Sequence, residues 1–200
     1  VGNNGAGKTT LFSALLDLIK PTTGEVLNNG INVRTSEDWK TFTSAFLDES
    51  FLISYLMPEE YFYFVGELRN FNKDKVDEFL KQFEDLFNGE ILGGKKFIRD
   101  LSKGNQKKVG IVAALIGDPE VIILDEPFAN LDPTTQIRLK KIIKNLSQKV
   151  GVTVLVSSHD LQDVTEVSDR IVLLEKGLVI KDIKKTKKTL QDLETYFNKE

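Results

Sequence analysis

Apolar residues recur along this chain in two rhythms, one typical of helices and the other of buried strands. The near-helical spacing of apolar residues from Leu11 until Pro21 predicts a first helix that stops at the proline. Apolar residues on one helical face, with charges on the other, predict helices over 59–68 and 73–87. The remaining predicted helices cover residues 105–116, 134–150 and 161–168.

Short apolar runs predict the strands. Val121–Leu124 is apolar at every position, which is typical of a strand buried in a parallel sheet. Residues 23–33 predict a strand, an Asn-Gly turn and a second strand, and residues 175–180 predict a turn at Lys176-Gly177 before a final strand. Further strands are predicted at 42–47, 152–157 and 171–174. Strands that alternate with helices indicate an α/β fold with a mostly parallel sheet flanked by helices.

One stretch interrupts this alternation, because residues from about 51 to 117 are dominated by predicted helices and include the aromatic run 61–64. We therefore expect an α/β core made of residues 1–50 and 120–183, with 51–117 forming a helical subdomain. Residues 184–200 are expected to form a C-terminal helix or tail. The lysine-rich stretch 181–188 is typical of a solvated face.

Composition narrows the classes of function. The 200 residues suffice for a domain with a hydrophobic core, and the absence of cysteine excludes disulfides and thiolate metal sites. A net charge of −3 gives no electrostatic reason to expect nucleic acid as a partner. No apolar run approaches the roughly 20 residues that a membrane-spanning helix needs.

The chain opens on a glycine-rich loop that matches the pattern G-x-x-x-x-G-K-[ST] in full. Glycines let the backbone approach a polyphosphate closely, and successive N–H groups at the start of a helix then face its oxygens. Such a loop also needs a buried strand before it, so we expect the chain to be N-terminally truncated or a fragment, with the strands before Val1 missing. The residues of the loop are Gly2, Asn3, Asn4, Gly5, Ala6, Gly7, Lys8, Thr9 and Thr10.

Two side chains of this loop indicate ATP and Mg²⁺ as ligands. Lys8 would lie as a cation against the β- and γ-phosphates, and the Thr9 hydroxyl would bind Mg²⁺. A second element supports this, because the apolar strand Val121–Leu124 is followed by two carboxylates. Asp125 would hold Mg²⁺, and Glu126 could act as the general base toward a water molecule.

His159 is the only histidine, and it follows a predicted strand in the run Val156-Ser157-Ser158-His159-Asp160. Its ring could therefore reach the γ-phosphate of a bound nucleotide as a hydrogen-bond donor. A single histidine is more often incidental, so its role depends on the motifs around it.

The order of the motifs resembles the ATP-binding cassette family, the nucleotide-binding domains of ABC transporters. The loop GNNGAGKTT looks like its Walker A motif, LSKGNQ its signature motif, VIILDE its Walker B motif, ANLD its D-loop and SSH its H-loop. The resemblance implies a P-loop NTPase fold and a head-to-tail dimer around two ATP molecules. It also implies that Ser102, Gly104 and Asn105 contact ATP held by the partner, and that Asp132 belongs to the nucleotide site.

Two departures from the family pattern stand out. Where the family usually has a glutamine after the strand predicted at 42–47, this chain has Glu49, which could bind Mg²⁺ but would repel phosphate. The signature reads LSKGN rather than LSGGQ, although Ser102 and Gly104 are retained. The residue that stacks on adenine in the family precedes the loop and has no counterpart in these 200 residues.

The resemblance predicts an ATP-hydrolysing subunit of a transporter, peripheral on the inner, cytoplasmic face of the cell membrane and bound to a separate permease. The surface around 51–66 would dock the permease, and the single-cassette layout slightly favours export. The two alternatives are a soluble cassette protein acting on ribosomes or DNA, and a nucleotide-gated module with little turnover.

Overall fold

The structure is a computed structural model that describes residues 1–197. The strands are β1 (Leu27–Asn28), β2 (Ile31–Asn32), β3 (Thr43–Phe46), β4 (Val121–Leu124), β5 (Thr153–Val156), β6 (Arg170–Glu175) and β7 (Leu178–Lys184). The α-helices are α1 (Lys8–Leu15), α2 (Pro58–Leu68), α3 (Lys73–Leu80), α4 (Glu84–Phe87), α5 (Lys103–Leu115), α6 (Pro133–Ser147), α7 (Leu161–Val167) and α8 (Thr189–Phe197).

A three-stranded parallel sheet in the order β3-β4-β5 forms the centre of the molecule. Val121 is level with Thr43 on one side and Thr153 on the other, and all four residues of β4 are buried. Because the strands run in parallel and in register, their carboxyl ends meet at one edge, where a ligand is expected in an open α/β sheet. The predicted α/β fold with a parallel sheet is therefore confirmed.

Two antiparallel hairpins lie outside this sheet. β1 and β2 are joined by Asn29 and Gly30, and β6 and β7 are joined by Lys176 and Gly177. All four turn residues have positive φ, as a two-residue hairpin turn of this kind requires. Both hairpins were predicted from their turn residues, and both predictions are confirmed.

Helices α2 to α5 pack through one apolar core that also includes residues of β3 and β4. Phe62 on α2 is fully buried and stacks on Phe87, with 5.8 Å between the ring centroids. The aromatic run at the start of this region is therefore divided, because Phe62 belongs to the core while Phe64 is 42% exposed.

The predicted helix ends are wrong in places. α1 ends at Leu15 rather than at Pro21, because Asp17 adopts a left-handed conformation and the Leu18 N–H donates to Ser13 O. The helix predicted over 73–87 is divided by a 3₁₀ turn at Lys81–Phe83, and α6 ends at Ser147 instead of residue 150.

A cavity of about 500 Å³ separates β5 from β6. Apolar side chains line it, among them Phe12, Val154, Val156 and Ile171. Val1 lies beside β6, since its terminal nitrogen donates to Val172 O and its carbonyl accepts from Leu174 N, both at 2.8 Å.

The C-terminal part of the chain combines a strand and a helix. The lysine-rich stretch begins inside β7 and continues as exposed residues to Lys188, before α8 packs through Leu193 onto the core around β6. The last three residues of the predicted helix or tail, 198–200, lie outside the described residues. Within residues 1–197, no helix combines the length and the hydropathy that a bilayer span requires.

Candidate functional site

The glycine-rich loop lies at the carboxyl edge of the sheet and is shaped by its glycines. Gly5 and Gly7 have φ of 81° and 101°, which residues with a side chain rarely adopt. Gly2 needs to be glycine for a different reason, because a Cβ there would overlap the carbonyl oxygen of Leu174. The turn of the β6–β7 hairpin supports the loop from outside, as the Gly177 N–H donates to Ala6 O at 2.9 Å.

Lys8 begins α1 and turns its side chain back into the loop. Its Nζ donates to Gly2 O at 2.7 Å and Asn3 O at 3.3 Å, and it lies 3.2 Å from Glu126 Oε1. The side chain is only 8% exposed. A buried ammonium with these partners supplies a fixed positive charge inside a ring of backbone groups, which suits a bound polyphosphate.

Thr9 and Asp125 meet directly below the loop. The Thr9 hydroxyl donates to Asp125 Oδ2 at 2.5 Å, although 116 positions separate the two residues in the chain. The other carboxylate oxygen, Oδ1, accepts a hydrogen bond from the Ser157 hydroxyl. A hydroxyl and a carboxylate that converge in this way are the oxygen donors that Mg²⁺ binds beside a nucleotide.

Glu126 has an unusual backbone conformation that directs its carboxylate. Its φ is 43°, a left-handed conformation that costs a residue with a Cβ about 1–2 kcal/mol. Its N–H donates to Ser157 Oγ at 2.9 Å, and its Oε2 lies 2.9 Å from His159 Nδ1. The structure therefore brings Lys8, Glu126 and His159 together as a connected row.

The carboxylate of Glu126 has an acceptor that the protein leaves without a hydrogen bond. Oε1 is buried and has only the ion pair with Lys8. A buried acceptor of this kind is costly unless another donor reaches it, and a water molecule that it polarises would be one. Together with the Thr9–Asp125 pair and the open space at Gly5, the residues present fit Mg²⁺ and ATP.

The signature-like residues form a second group, at the start of α5. Ser102 is the N-cap of this helix and accepts from Asn105 N at 3.2 Å, so α5 begins at Lys103 and not at Asn105 as predicted. The Asn105 side chain hydrogen-bonds Glu90 and lowers the pKa of that carboxyl. Gly104 faces the loop after β4, where a Cβ would lie 3.4 Å from Asn130 O.

Asp132 caps the neighbouring helix α6. Its carboxylate accepts from the hydroxyl and the backbone N–H of Thr135, and these hydrogen bonds hold the pKa of Asp132 below its usual value. Within residues 1–197, no hydrogen bond or ion pair joins Asp132 or the start of α5 to the glycine-rich loop. The predicted site residues thus fall into two groups within one chain.

Glu49 lies in a 3₁₀ turn, Glu49–Phe51, that Asp48 caps. Its carboxylate is 3.9 Å from the Nζ of Lys107, a nearly buried cation on α5. Burial lowers the pKa of Lys107, against the opposite influence of the carboxylates around it. Neither Lys107 nor Ser157 was predicted to act in the site. For Ser157 a signal existed, since it follows the strand next to β4 and so reaches the same edge of the sheet.

Comparisons with known proteins agree with this geometry. Residues 1–129 match the family model described as ABC transporter. An uncharacterized ABC transporter ATP-binding protein of Alkalihalophilus pseudofirmus is 34% identical over 88% of this chain, and an energy-coupling factor transporter ATP-binding protein, EcfA2, of Staphylococcus epidermidis is 33% identical over 90%. This chain spans 65% of the length of each relative.

Among solved structures, one similar chain is the ATP-binding cassette MJ0796, a dimer in a post-hydrolysis state with ADP and Pi bound. The TM-score is 0.76 at 27% identity, and the likeness covers 92% of this chain and 82% of the other.

Proposed function

Because the chain belongs to the ABC transporter family, we propose that it binds and hydrolyses ATP as the nucleotide-binding subunit of a transporter. One observation carries the proposal: the Glu126 carboxylate lies between Lys8 and His159, one residue after the aspartate that pairs with Thr9. A cation, a candidate base and a metal-binding pair therefore meet at the edge where a nucleotide would lie.

The residues of the site would act as follows. The N–H groups of the loop and the ammonium of Lys8 hold the phosphates, and Thr9 and Asp125 hold Mg²⁺. The metal supplies charge neutralisation on the phosphate oxygens when bound. Glu126 accepts a proton from the attacking water, while His159, hydrogen-bonded to that carboxylate, keeps it oriented and offers a donor toward the γ-phosphate.

The second group of site residues supports a dimer. Ser102, Gly104, Asn105 and Asp132 are not connected to the loop that carries Lys8, so they would complete the nucleotide site of a second subunit. The N-terminus of α5 has the free N–H groups that suit a phosphate. Closure of two subunits around ATP and their separation after hydrolysis would convert the reaction into movement.

The exposed aromatic residues after β3 support a membrane partner. Phe51 is 57% exposed and Tyr55 is 71% exposed, and the guanidinium of Arg99 lies 4.6 Å from the Tyr55 ring centroid. These side chains form a surface that would bind a permease at the inner face of the membrane, consistent with the docking region proposed around 51–66.

Export remains the proposed direction of transport. If it is correct, ATP should drive the substrate into inverted membrane vesicles. Accumulation of the substrate in right-side-out vesicles instead would show that the transporter imports.

Mg²⁺-dependent ATP hydrolysis by the full chain tests the proposed function. We expect Glu126→Gln to retain ATP binding and to lower turnover by about 10²–10⁴-fold, the range for loss of a general base. Glu78→Gln, on the exposed face of α3, is the matched control and should leave turnover unchanged. If Glu126→Gln turns over ATP at the wild-type rate, the assignment of the base is wrong.

Membranes that contain the neighbouring gene products separate the remaining alternatives. A rise in turnover in the presence of one membrane protein supports the transporter and identifies its permease. If no membrane protein changes the rate of ATP turnover, a soluble cassette protein is favoured. ATP binding without turnover favours a nucleotide-gated module.

A further inference from the structure

Lys107 is a nearly buried cation that the proposed mechanism does not use. It lies on α5, and its side chain is 7% exposed. Its Nζ donates to Glu126 O at 2.9 Å and to Ala129 O at 3.0 Å. The same ammonium lies 3.9 Å from Glu49 Oε1, so one side chain joins three separate segments.

The two carbonyl contacts bracket the turn that follows β4. An ammonium group has three donors and no acceptor, and two of these donors fix the carbonyl of Glu126 and the carbonyl of Ala129. The N–H of Glu126 is held from the other side by Ser157. Both backbone groups of a residue in a left-handed conformation are therefore held by side chains from other elements, which keeps its carboxylate aimed at Lys8 and His159.

The charge of Lys107 also balances a group of carboxylates. Asp48, Glu49, Asp125 and Glu126 all lie close enough to favour its charged form, while burial lowers its pKa. Lys107 is thus surrounded by negative charge in a place where an unpaired ammonium would be costly. Glu49 is the member of this group that forms an ion pair with it.

We propose that Lys107 is a positioning residue for ATP hydrolysis, and that Glu49 is its counter-charge instead of a ligand of Mg²⁺. The proposal rests on the proposed ATPase function, because it concerns how Glu126 is held for that reaction. Since Ser102 caps the same helix that carries Lys107, a shift of α5 toward a nucleotide on a second subunit would move the cation that holds Glu126. The helix would thereby connect the two groups of site residues.

Three variants of α5 test the role of Lys107 in the full chain. Lys107→Met keeps the length of the side chain and removes its charge, and Lys107→Arg keeps the charge. Lys108→Met is the matched control, because Lys108 is the next residue of the helix, is equally buried and pairs with Glu90 at 3.6 Å. For each variant, kcat and KM for ATP, binding of a fluorescent ATP analogue and the thermal midpoint of unfolding are measured.

We expect Lys107→Met to lower kcat about 10- to 100-fold, the range for loss of a group that orients a ligand of the reaction centre, with KM and analogue binding changed less than about threefold. Lys107→Arg should recover most of kcat, and Lys108→Met should keep the wild-type kcat whatever its thermal midpoint. An unchanged kcat in Lys107→Met, or an equal loss in Lys108→Met, overturns the proposal.

Glu49→Gln tests the proposal that Glu49 is the counter-charge of Lys107 and not a ligand of Mg²⁺. As a counter-charge, Glu49 should be replaceable without a change in the Mg²⁺ concentration that gives half-maximal hydrolysis, and its effect on the urea midpoint should not add to that of Lys107→Met. A tenfold higher Mg²⁺ requirement, or full additivity, overturns this assignment. A wild-type chain without turnover overturns the ATPase function and the positioning role together, whereas an active wild type beside an equally active Lys107→Met overturns the positioning role alone.

Discussion

Ser157 shows how much one small side chain contributes to the site. It is 3% exposed, donates to Asp125 Oδ1 and accepts from Glu126 N, so it holds the two acidic residues that follow β4. It directly follows β5, and therefore fixes these two residues relative to the neighbouring strand.

We expect Ser157→Ala to lower the free energy of unfolding by about 1–3 kcal/mol, because two buried polar groups lose their partner. Turnover should fall as well, since the left-handed backbone of Glu126 loses one of its two side-chain supports. Urea unfolding followed by the fluorescence of Trp39, the only tryptophan, measures the stability. Ser147→Ala, at the last residue of α6, removes a solvent-exposed hydrogen bond to Lys144 O; it is the control and should change stability by less than about 0.5 kcal/mol.

At the scale of single residues, the sequence predicted some of the side chains of the site but not all of them. Lys8 and Thr9 were predictable because they belong to the continuous pattern of the glycine-rich loop. Asp125 and Glu126 were predictable because they directly follow an apolar strand. Ser157 has only the weaker signal that it follows the strand next to β4, and Lys107 has none. Their roles come from the neighbours that the fold brings to them, and serines and lysines are common at exposed positions.

At the scale of elements, α5 and β3 approach closely through a single glycine. Gly110 faces the ring of Phe46, and a Cβ at this position would overlap the ring. The helix therefore lies against the sheet at a distance that only a glycine permits. This contact fixes α5, which carries Ser102 at its start and Lys107 on its side.

Gly110→Ala should destabilise the protein by about 1–3 kcal/mol through overpacking, even though alanine favours a helix interior over glycine by about 1 kcal/mol. The second substitution Phe46→Leu should recover part of the loss in the double variant, because a smaller side chain makes room for the methyl group. Gly94→Ala is the control, since a Cβ there meets no atom closer than 4.0 Å. A double variant that is no more stable than the sum of the singles would contradict the steric explanation.

The periodicity of apolar residues predicted which segments are helices and strands, but not where several helices end. The residues after Leu15 keep a helical spacing, yet the left-handed Asp17 turns the chain away. The helix ends through local backbone hydrogen bonds, among them that from Leu18 N to Ser13 O, and the spacing of apolar residues does not specify these bonds. The hairpin turns were predictable for the opposite reason. Their positive φ angles are favoured by the turn residues themselves, the Asn-Gly and Lys-Gly pairs.

At the scale of the whole molecule, the division of the site residues into two groups predicts assembly. Glu126→Gln with ATP should form a dimer, because the nucleotide is retained and the N-terminus of α5 from each copy can reach it. Light scattering after size-exclusion chromatography measures the mass with ATP and without it. Adding Ser102→Arg should return the protein to a monomer, and a monomer in ATP without that second change would contradict the dimer.

The sequence predicted that the fold contains a parallel sheet, but it did not predict how the strands are arranged. Strand order, the position of the hairpins and the gap between β5 and β6 depend on contacts between residues far apart in the chain. The resemblance to the cassette family implied the arrangement of the motifs, yet the pairing of Glu49 with Lys107 follows only from the coordinates.

The cavity between β5 and β6 has a consequence for amide hydrogen exchange. Thr153 N and Ser157 N donate to Glu120 O and Leu124 O on the β4 side, so the alternation of the strand turns the N–H groups of Val154 and Val156 toward the cavity. Deuterium should therefore enter β5 at every second residue, quickly at the two valines and slowly at Thr153 and Ser157. An extended segment that entered the cavity would slow the two valines first.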